Sequence, residues 1–569
     1  MYQEFSVQGG PQFGRDRLPL LRNVLKAESL DAFYVPHEDE YQNEYLPEAT
    51  DRLAWLTGFT GSAGAALIFV DQAVMFTDGR YTLQVRSQTD SDLFEYADIA
   101  NHGVARWIED NARRGARIGY DPKLVTPDSL TRLQRAASLS GAELIACETN
   151  LVDKAWTDRP AMPKAPIRPH PIALAGEAHG DKRARIGASL AKEGADAAVI
   201  TAPPSIAWLF NVRGGDVSHS PLPLGAAVIN ADGTAEFFVD PDKLDDAARS
   251  HLGNEVSIRP EDALEDGLKN LGEKRVLIDP AASSAWHFQT LEAAGAQIVR
   301  GLDPVALPKA CKNEAEIAGA KAAHVRDGAA LTRFLCWFDQ TAPEGGLTEI
   351  DAAMKLEAQR RETGELKDIS FDSITGAAGN GAIVHYRVSE ASNKAIEPGA
   401  LFLIDSGGQY EDGTTDVTRT LPVGEPGEEM RERYTLVLKG HIAMTVIRFP
   451  SGTSGAALDA LARAPLWMRG LDYDHGTGHG VGAYLGVHEG PQRIAKGGSD
   501  IALKPGMIVS NEPGYYKADA YGIRIENLQY VTEPEEVAGG DRPMMGFETL
   551  TLAPLARTLI DISLLTEDE

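Results

Sequence analysis

Apolar and polar positions alternate along the chain in two ways, and the switches between them divide it into segments. RLPLLRNVLKAESL (17–30) carries apolar residues three and four apart and runs into the compact apolar DAFYV, which predicts a helix followed by a strand. RARIGASLAKEG (183–194), followed by ADAAVI, repeats that order. Each pair is followed by a short apolar unit, LAWL around Trp55 and IAWL around Trp208. Each then has a strand apolar on both faces, GAALIFV (Gly64–Val70) and GAAVI (Gly225–Ile229). The first copy carries an additional acidic loop, His37 to Thr50. Helices alternating with buried strands predict two related α/β units.

Two proline-containing stretches separate the segments. RPAMPKAPIRPHP (159–171) blocks helix and central strand alike and predicts an extended linker. GLDPVALPK (301–309) marks a second boundary, after which Ile317, Ala320, Leu331 and Leu335 fall on one helical face. The domains expected are therefore 1–158, 172–303 and 310–569. The third mixes helical patterns, Glu428 to Ile447 and Ala456 to Met468, with strand runs such as LFLIDSG, MIVSNEPG and YGIRIENLQYV, an α+β pattern.

The 569 residues exceed what one hydrophobic core can organise. With 43% hydrophobic and 24% charged residues, the composition is that of a globular chain. A formal net charge of −28 repels a phosphate backbone and argues against nucleic acid as a partner. Cys147, Cys311 and Cys336 are too few and too scattered for a disulfide framework or a thiolate metal site. Residues 1–17 show no apolar core of a signal peptide, and no long apolar run suggests a membrane span, so a cytoplasmic location is expected.

The chemistry concentrates in the third segment. Leu401–Ile404 ends on Asp405, a Gly-rich turn follows, and a second strand-prone stretch contains Asp416, which reads as a hairpin with two acids close together. Carboxylates at the end of a buried run are costly unless paired, and a divalent cation would relieve both their burial and their repulsion. His475, His479 and His488 lie in the Gly-dense DHGTGHGVGAYLGVHEGP (474–491), where glycine argues against helix and for a loop or strand. Glu512 ends another apolar strand, and in GIRIEN the alternation sets Arg524 and Glu526 opposite Ile523 and Ile525. Four carboxylates and a histidine form an oxygen-rich donor set suited to two hard or borderline divalent ions such as Mn²⁺, and so to metal-assisted hydrolysis.

VHYR, LIDSGGQY, TTDVTRT, HGTGHGVGAYLGVHEGP, SNEPGYY and GIRIEN together resemble the creatinase/aminopeptidase family with its pita-bread fold. Within it the chain is most similar to the long, three-domain cytosolic form of aminopeptidase P. TDGRYTLQ, NLVDKAW and GFETLTLAP extend that likeness along nearly the whole chain. The resemblance implies two creatinase N-terminal-like α/β domains followed by a pita-bread catalytic domain. It implies that Asp405, Asp416, His479, Glu512 and Glu526 hold two divalent ions, with Asp416 and Glu526 bridging and a hydroxide between the ions as the nucleophile. His385, His475 and His488 would bind substrate and steady the tetrahedral intermediate, and Glu512 would take a proton from the attacking water. The substrates implied are peptides with a penultimate proline, and the assembly implied is a homodimer. A prolidase limited to Xaa-Pro dipeptides would show the same ligands, and a non-catalytic peptide-binding member would lack some of them. One departure is that the chain stops at Leu565–Glu569, where members of this group generally continue into a further helical segment.

Overall fold

The computed structural model describes residues 2–99, 103–497 and 500–569. Its first sheet has six strands in the spatial order 95–98, 73–77, 65–69, 32–36, 117–120, 143–146. The second has the order 256–259, 235–238, 226–230, 197–200, 275–278, 297–300. Numbered by sequence within each sheet, both run 4-3-2-1-5-6, and every parallel or antiparallel pairing in one has its counterpart in the other. The repeat expected from the apolar pattern is therefore a repeat of topology. Its basis is burial on both faces: every residue of Ala65–Phe69 and of Ala197–Ile200 is buried, because helices cover both sides.

The first helix, Pro11–Ala27, begins earlier than the leucine pattern predicts, because Pro11 at its start suits the first turn. Leu18, Leu21 and Leu25 form its buried face. Residues 159–166 form neither helix nor strand, and Arg168–Pro169 then pairs with Val212–Arg213. The second boundary differs from a plain linker: Ala306–Ala310 forms a helical turn, entered where Asp303 accepts the Val305 N–H at 2.8 Å. The long helix Glu314–Thr341 then starts from a capping box made by Asn313 and Glu316.

In the third part, helices 349–361, 428–446 and 455–467 accompany small antiparallel sheets. Leu401–Ser406 pairs with Val417–Pro422, so the expected hairpin is present, with Asp405 opposite Thr418. YGIRIENLQYV departs from the single strand run expected of it. It breaks at Ile525–Glu526 into Tyr521–Arg524, paired with Gly514–Lys517, and Asn527–Val531, paired with Ile508–Asn511. Ile523, Arg524, Ile525 and Glu526 are all buried, so neither side of this run faces solvent.

Candidate active site

Four strand ends deliver acids to one place. Asp405 closes its buried strand, and Asp416 precedes the partner strand. Glu526 occupies the strand break and is tied to the hairpin twice: its N–H donates to the Thr418 carbonyl, and the Thr418 hydroxyl donates to its Oε2 at 2.7 Å. Glu512 follows Ile508–Asn511, with Ser510 Oγ donating to its Oε1 at 3.0 Å. His479 lies in the short strand Gly478–Gly480. Its Nδ1 is 2.9 Å from the Gly480 carbonyl, which can only accept, so Nδ1 carries the proton and Nε2 offers a lone pair. That Nε2 is 3.5 Å from both Asp416 Oδ2 and Glu512 Oε1. Asp416, His479 and Glu526 each offer one ligand atom within 4.8 Å of the other two.

The electrostatics of this cluster call for cations. Burial first, and then the neighbouring carboxylates, push Asp416 and Glu526 well above the usual carboxylate range. Burial and Asp405 push Glu512 up to about 7, against the pull of Arg524. Arg524, itself buried, donates to Asp405 Oδ2 at 2.6 Å and to the Tyr516 hydroxyl at 2.6 Å. One guanidinium against four carboxylates leaves a large negative excess. Asp405 Oδ1 and Asp416 Oδ1 are both shut away from solvent with no hydrogen-bond partner among the described residues. Orphaned carboxylate oxygens, a neutral imidazole lone pair and that charge excess fit two divalent cations.

The other expected residues surround the same space. His488 Nδ1 meets Glu44 Oε2 at 2.7 Å. Burial, the largest single influence, would raise Glu44, but His488 together with Arg80 and His385 outweighs it and holds the carboxyl far below its ordinary value. Burial alone would lower His488, and Glu44 in turn raises it. His385 Nδ1 is 2.8 Å from the Tyr81 hydroxyl, which is 2.7 Å from Ser62 Oγ, which donates to Glu44 Oε1 at 3.0 Å. A chain of hydrogen bonds thus joins His385 to His488 through the first domain. His475 lines the cavity with both nitrogens engaged, Nδ1 at the Gly476 carbonyl and Nε2 at Tyr516. The cavity measures 1850 Å³, and all three domains line it.

Sequence reasoning missed Glu44, Arg80 and Tyr81, all of which line the cavity from the first domain. The acidic insertion 37–50 and the TDGRYTLQ stretch were visible, but nothing local ties either to the third domain.

Family models place these observations in context. Metallopeptidase family M24 matches residues 318–533, and creatinase/prolidase N-terminal domains match residues 17–155 and 158–316. A probable Xaa-Pro aminopeptidase P of Talaromyces stipitatus is 39% identical, covering 99% of this chain and 88% of that protein. The chain belongs to metallopeptidase family M24. Within this family, a probable Xaa-Pro aminopeptidase P of Aspergillus niger is 40% identical over 97% of the chain and 93% of its own length. Among solved structures, an X-prolyl aminopeptidase of Caenorhabditis elegans, described as a cytosolic enzyme with a di-nuclear active site, superposes with a TM-score of 0.93. It is 33% identical, with 98% of this chain and 93% of that chain covered. A Xaa-Pro dipeptidase of Bacillus anthracis matches with a TM-score of 0.53 and 26% identity, covering 66% of this chain and 98% of its own. The fold is accordingly two creatinase N-terminal α/β domains followed by an M24 pita-bread domain.

Proposed function

We propose that this chain is a metal-dependent aminopeptidase that cleaves the bond between an N-terminal residue and a penultimate proline. The observation that carries the reading is the convergence of Asp405, Asp416, His479, Glu512 and Glu526 around two orphaned carboxylate oxygens, at the wall of a cavity that both N-terminal domains help to enclose. These five residues would hold two divalent ions, and the oxygen-rich set favours Mn²⁺. When bound, the pair supplies Lewis acidity toward the scissile carbonyl and lowers the pKa of water.

The chain's own groups do the rest. Glu512 accepts the proton of the attacking water. Arg524 fixes Asp405 and orients Tyr516, which in turn engages His475. His488, held by Glu44 through Nδ1, has Nε2 left to offer substrate, and His385 is oriented by Tyr81. An Xaa-Pro bond is a tertiary amide without an N–H, so the site must recognise ring shape and carbonyl rather than a donor. The same reading places domain boundaries near residues 158–172 and 303–310, a cytoplasmic location, and a homodimer. Among the described residues no helix is long and apolar enough to cross a membrane. The exposed pair Trp467–Met468 supports a subunit contact.

The test is to strip the protein with chelator and assay Arg-Pro-Pro with and without Mn²⁺. Release of free arginine only with metal is expected. Cleavage of Arg-Pro but not Arg-Pro-Pro would make the protein a prolidase, and no cleavage of either by metal-loaded protein would overturn the peptidase reading. Reconstitution with Mn²⁺, Co²⁺ and Zn²⁺ in parallel tests the metal preference.

A further inference from the structure

Residues 480–487 join His479 to His488, and part of their conformation is set from outside the catalytic domain. Gly482 N–H donates to the Gly486 carbonyl at 3.0 Å, which closes a tight loop, and Tyr484 within it has φ 53°, an unfavourable backbone for a non-glycine residue. Leu485 is completely buried, and its side chain packs in the hydrophobic core of the second domain with residues such as Trp208 and Phe210. Arg213, from the second domain, donates through Nε to the Tyr484 carbonyl at 2.6 Å and through Nη2 to the Ala483 carbonyl at 2.9 Å. Gln409 Nε2 bridges the Leu485 carbonyl at 2.8 Å and the His219 carbonyl of the second domain at 2.9 Å. Three consecutive carbonyls of this loop are thus held by side chains, and one side chain of the loop is held by the second domain.

Arg213 is the unusual partner. It is buried, and its Nη1 donates to the Ala207 and Val212 carbonyls, so its acceptors are backbone oxygens; no carboxylate forms an ion pair with it among the described residues. A buried guanidinium that Glu316 and Glu489 favour only from beyond ion-pair distance is costly, and an apolar side chain would pack an interface more cheaply. What the guanidinium adds is a rigid fork that fixes two successive carbonyls at once. His479 does not need it: its N–H donates to Ser510 Oγ at 2.9 Å, and its strand pairs with 489–494 and 508–511. His488 is anchored differently, by Glu44 at its ring and by the strand that begins at Glu489 on its C-terminal side, so this loop is its support on the N-terminal side.

We propose that the second domain clamps the 480–487 loop, and that Arg213 is a positioning residue that sets His488 for the reaction. The proposal rests on the peptidase reading above.

The test uses the full-length, Mn²⁺-loaded protein with Arg213→Lys and Arg213→Met. Lysine keeps the charge but cannot reproduce the fork. For Arg213→Lys, kcat/KM on Arg-Pro-Pro should fall about 10- to 100-fold, the usual result of displacing a reacting group by about an ångström. Metal affinity, measured by chelator competition, should stay within about threefold, because His479 is anchored separately. Amide exchange across 481–487 should become faster. In a His488→Ala background, Arg213→Lys should cost less than about twofold more. Wild-type activity in Arg213→Lys, an equal loss in both backgrounds, or metal affinity falling in step with activity would each overturn the proposal. If Arg213→Met does not fold, Arg213→Lys still decides. An inactive wild-type protein would count against the peptidase reading alone, and unchanged exchange in 481–487 would still refute the clamp.

Discussion

Glu349 is the first residue of helix Glu349–Arg361 and is completely buried, and its carboxylate organises the segment that carries His385. Its Oε1 accepts from the Ala377 N–H at 2.7 Å and from Asn380 Nδ2 at 2.9 Å. Its Oε2 accepts from the Lys394 N–H at 2.9 Å and the Tyr386 hydroxyl at 2.9 Å. Burial pushes this carboxyl upward in pKa, and these donors pull it back. In Glu349→Gln the shape survives, but one acceptor oxygen becomes an NH₂. Asn380 can flip and the Tyr386 hydroxyl can rotate. The two backbone N–H groups cannot adapt, and they sit on different oxygens. Whichever way the new amide turns, one of them faces a donor. Orphaning a buried N–H costs about 1–3 kcal/mol, and loss of charge from the surviving bonds adds about 1 kcal/mol, giving about 2–4 kcal/mol. Because the chain has several domains, a global melting point would blur this local effect. Amide exchange across 374–394 reads it directly, and 2–4 kcal/mol corresponds to about 30- to 1000-fold faster opening. With His385 displaced, kcat/KM on Arg-Pro-Pro should fall by about tenfold or more. Wild-type exchange and wild-type kinetics in Glu349→Gln would refute the idea that this carboxylate holds the His385 segment.

Other parts of the site give separate tests. Glu44→Gln removes the charge-assisted bond to His488, worth about 1.5–3 kcal/mol, so kcat/KM should fall about 10- to 100-fold with metal content unchanged; an unaltered kcat/KM would remove Glu44 from the reaction. Asp39 caps the loop that carries Glu44, accepting the Tyr41 and Asn43 N–H groups at 3.0 Å each, and burial pushes its pKa up to about 6. Its folded pKa exceeds the unfolded value, so its ionisation is neutral for stability below about pH 4 and costs up to about 3 kcal/mol by pH 7. Asp39→Asn should therefore gain urea resistance relative to wild type as pH rises from 4.5 to 7, and a difference independent of pH would contradict this. Trp467 is 46% exposed and Met468 85% exposed. Sedimentation should show a dimer that Trp467→Glu converts to monomer, and a monomeric wild type would refute that contact.

Much of the architecture is legible in the sequence because its cause is local. The two α/β units announce themselves through strands apolar at every position, since burial on both faces leaves no room for alternation. The limits of the helices at 428–446 and 455–467 follow closely from their patterns. The break at Ile525–Glu526 is only half legible: apolar residues fall on odd positions up to Ile525 and on even positions from Leu528, a slip of one residue, but the change of partner from Gly514–Lys517 to Ile508–Asn511 has no local signal.

The candidate site divides along the same line. Asp405 and Glu512 are conspicuous because each ends an apolar strand, and a buried acid in such a place demands compensation. Glu44 reaches His488 across 444 positions of sequence and Arg213 reaches Tyr484 across 271, so no window of sequence contains either relationship. The carboxylates that would hold metal come from one domain, whereas groups that orient the surrounding histidines and their loop come from the other two. Metal-site chemistry is therefore written in motifs of the M24 domain. The position of His488, and with it the shape presented to a peptide, depends on long-range contacts that only the assembled three-domain chain makes. The solved Xaa-Pro dipeptidase that matches only 66% of this chain does so across 98% of its own length, so a comparable fold is built there from a shorter chain.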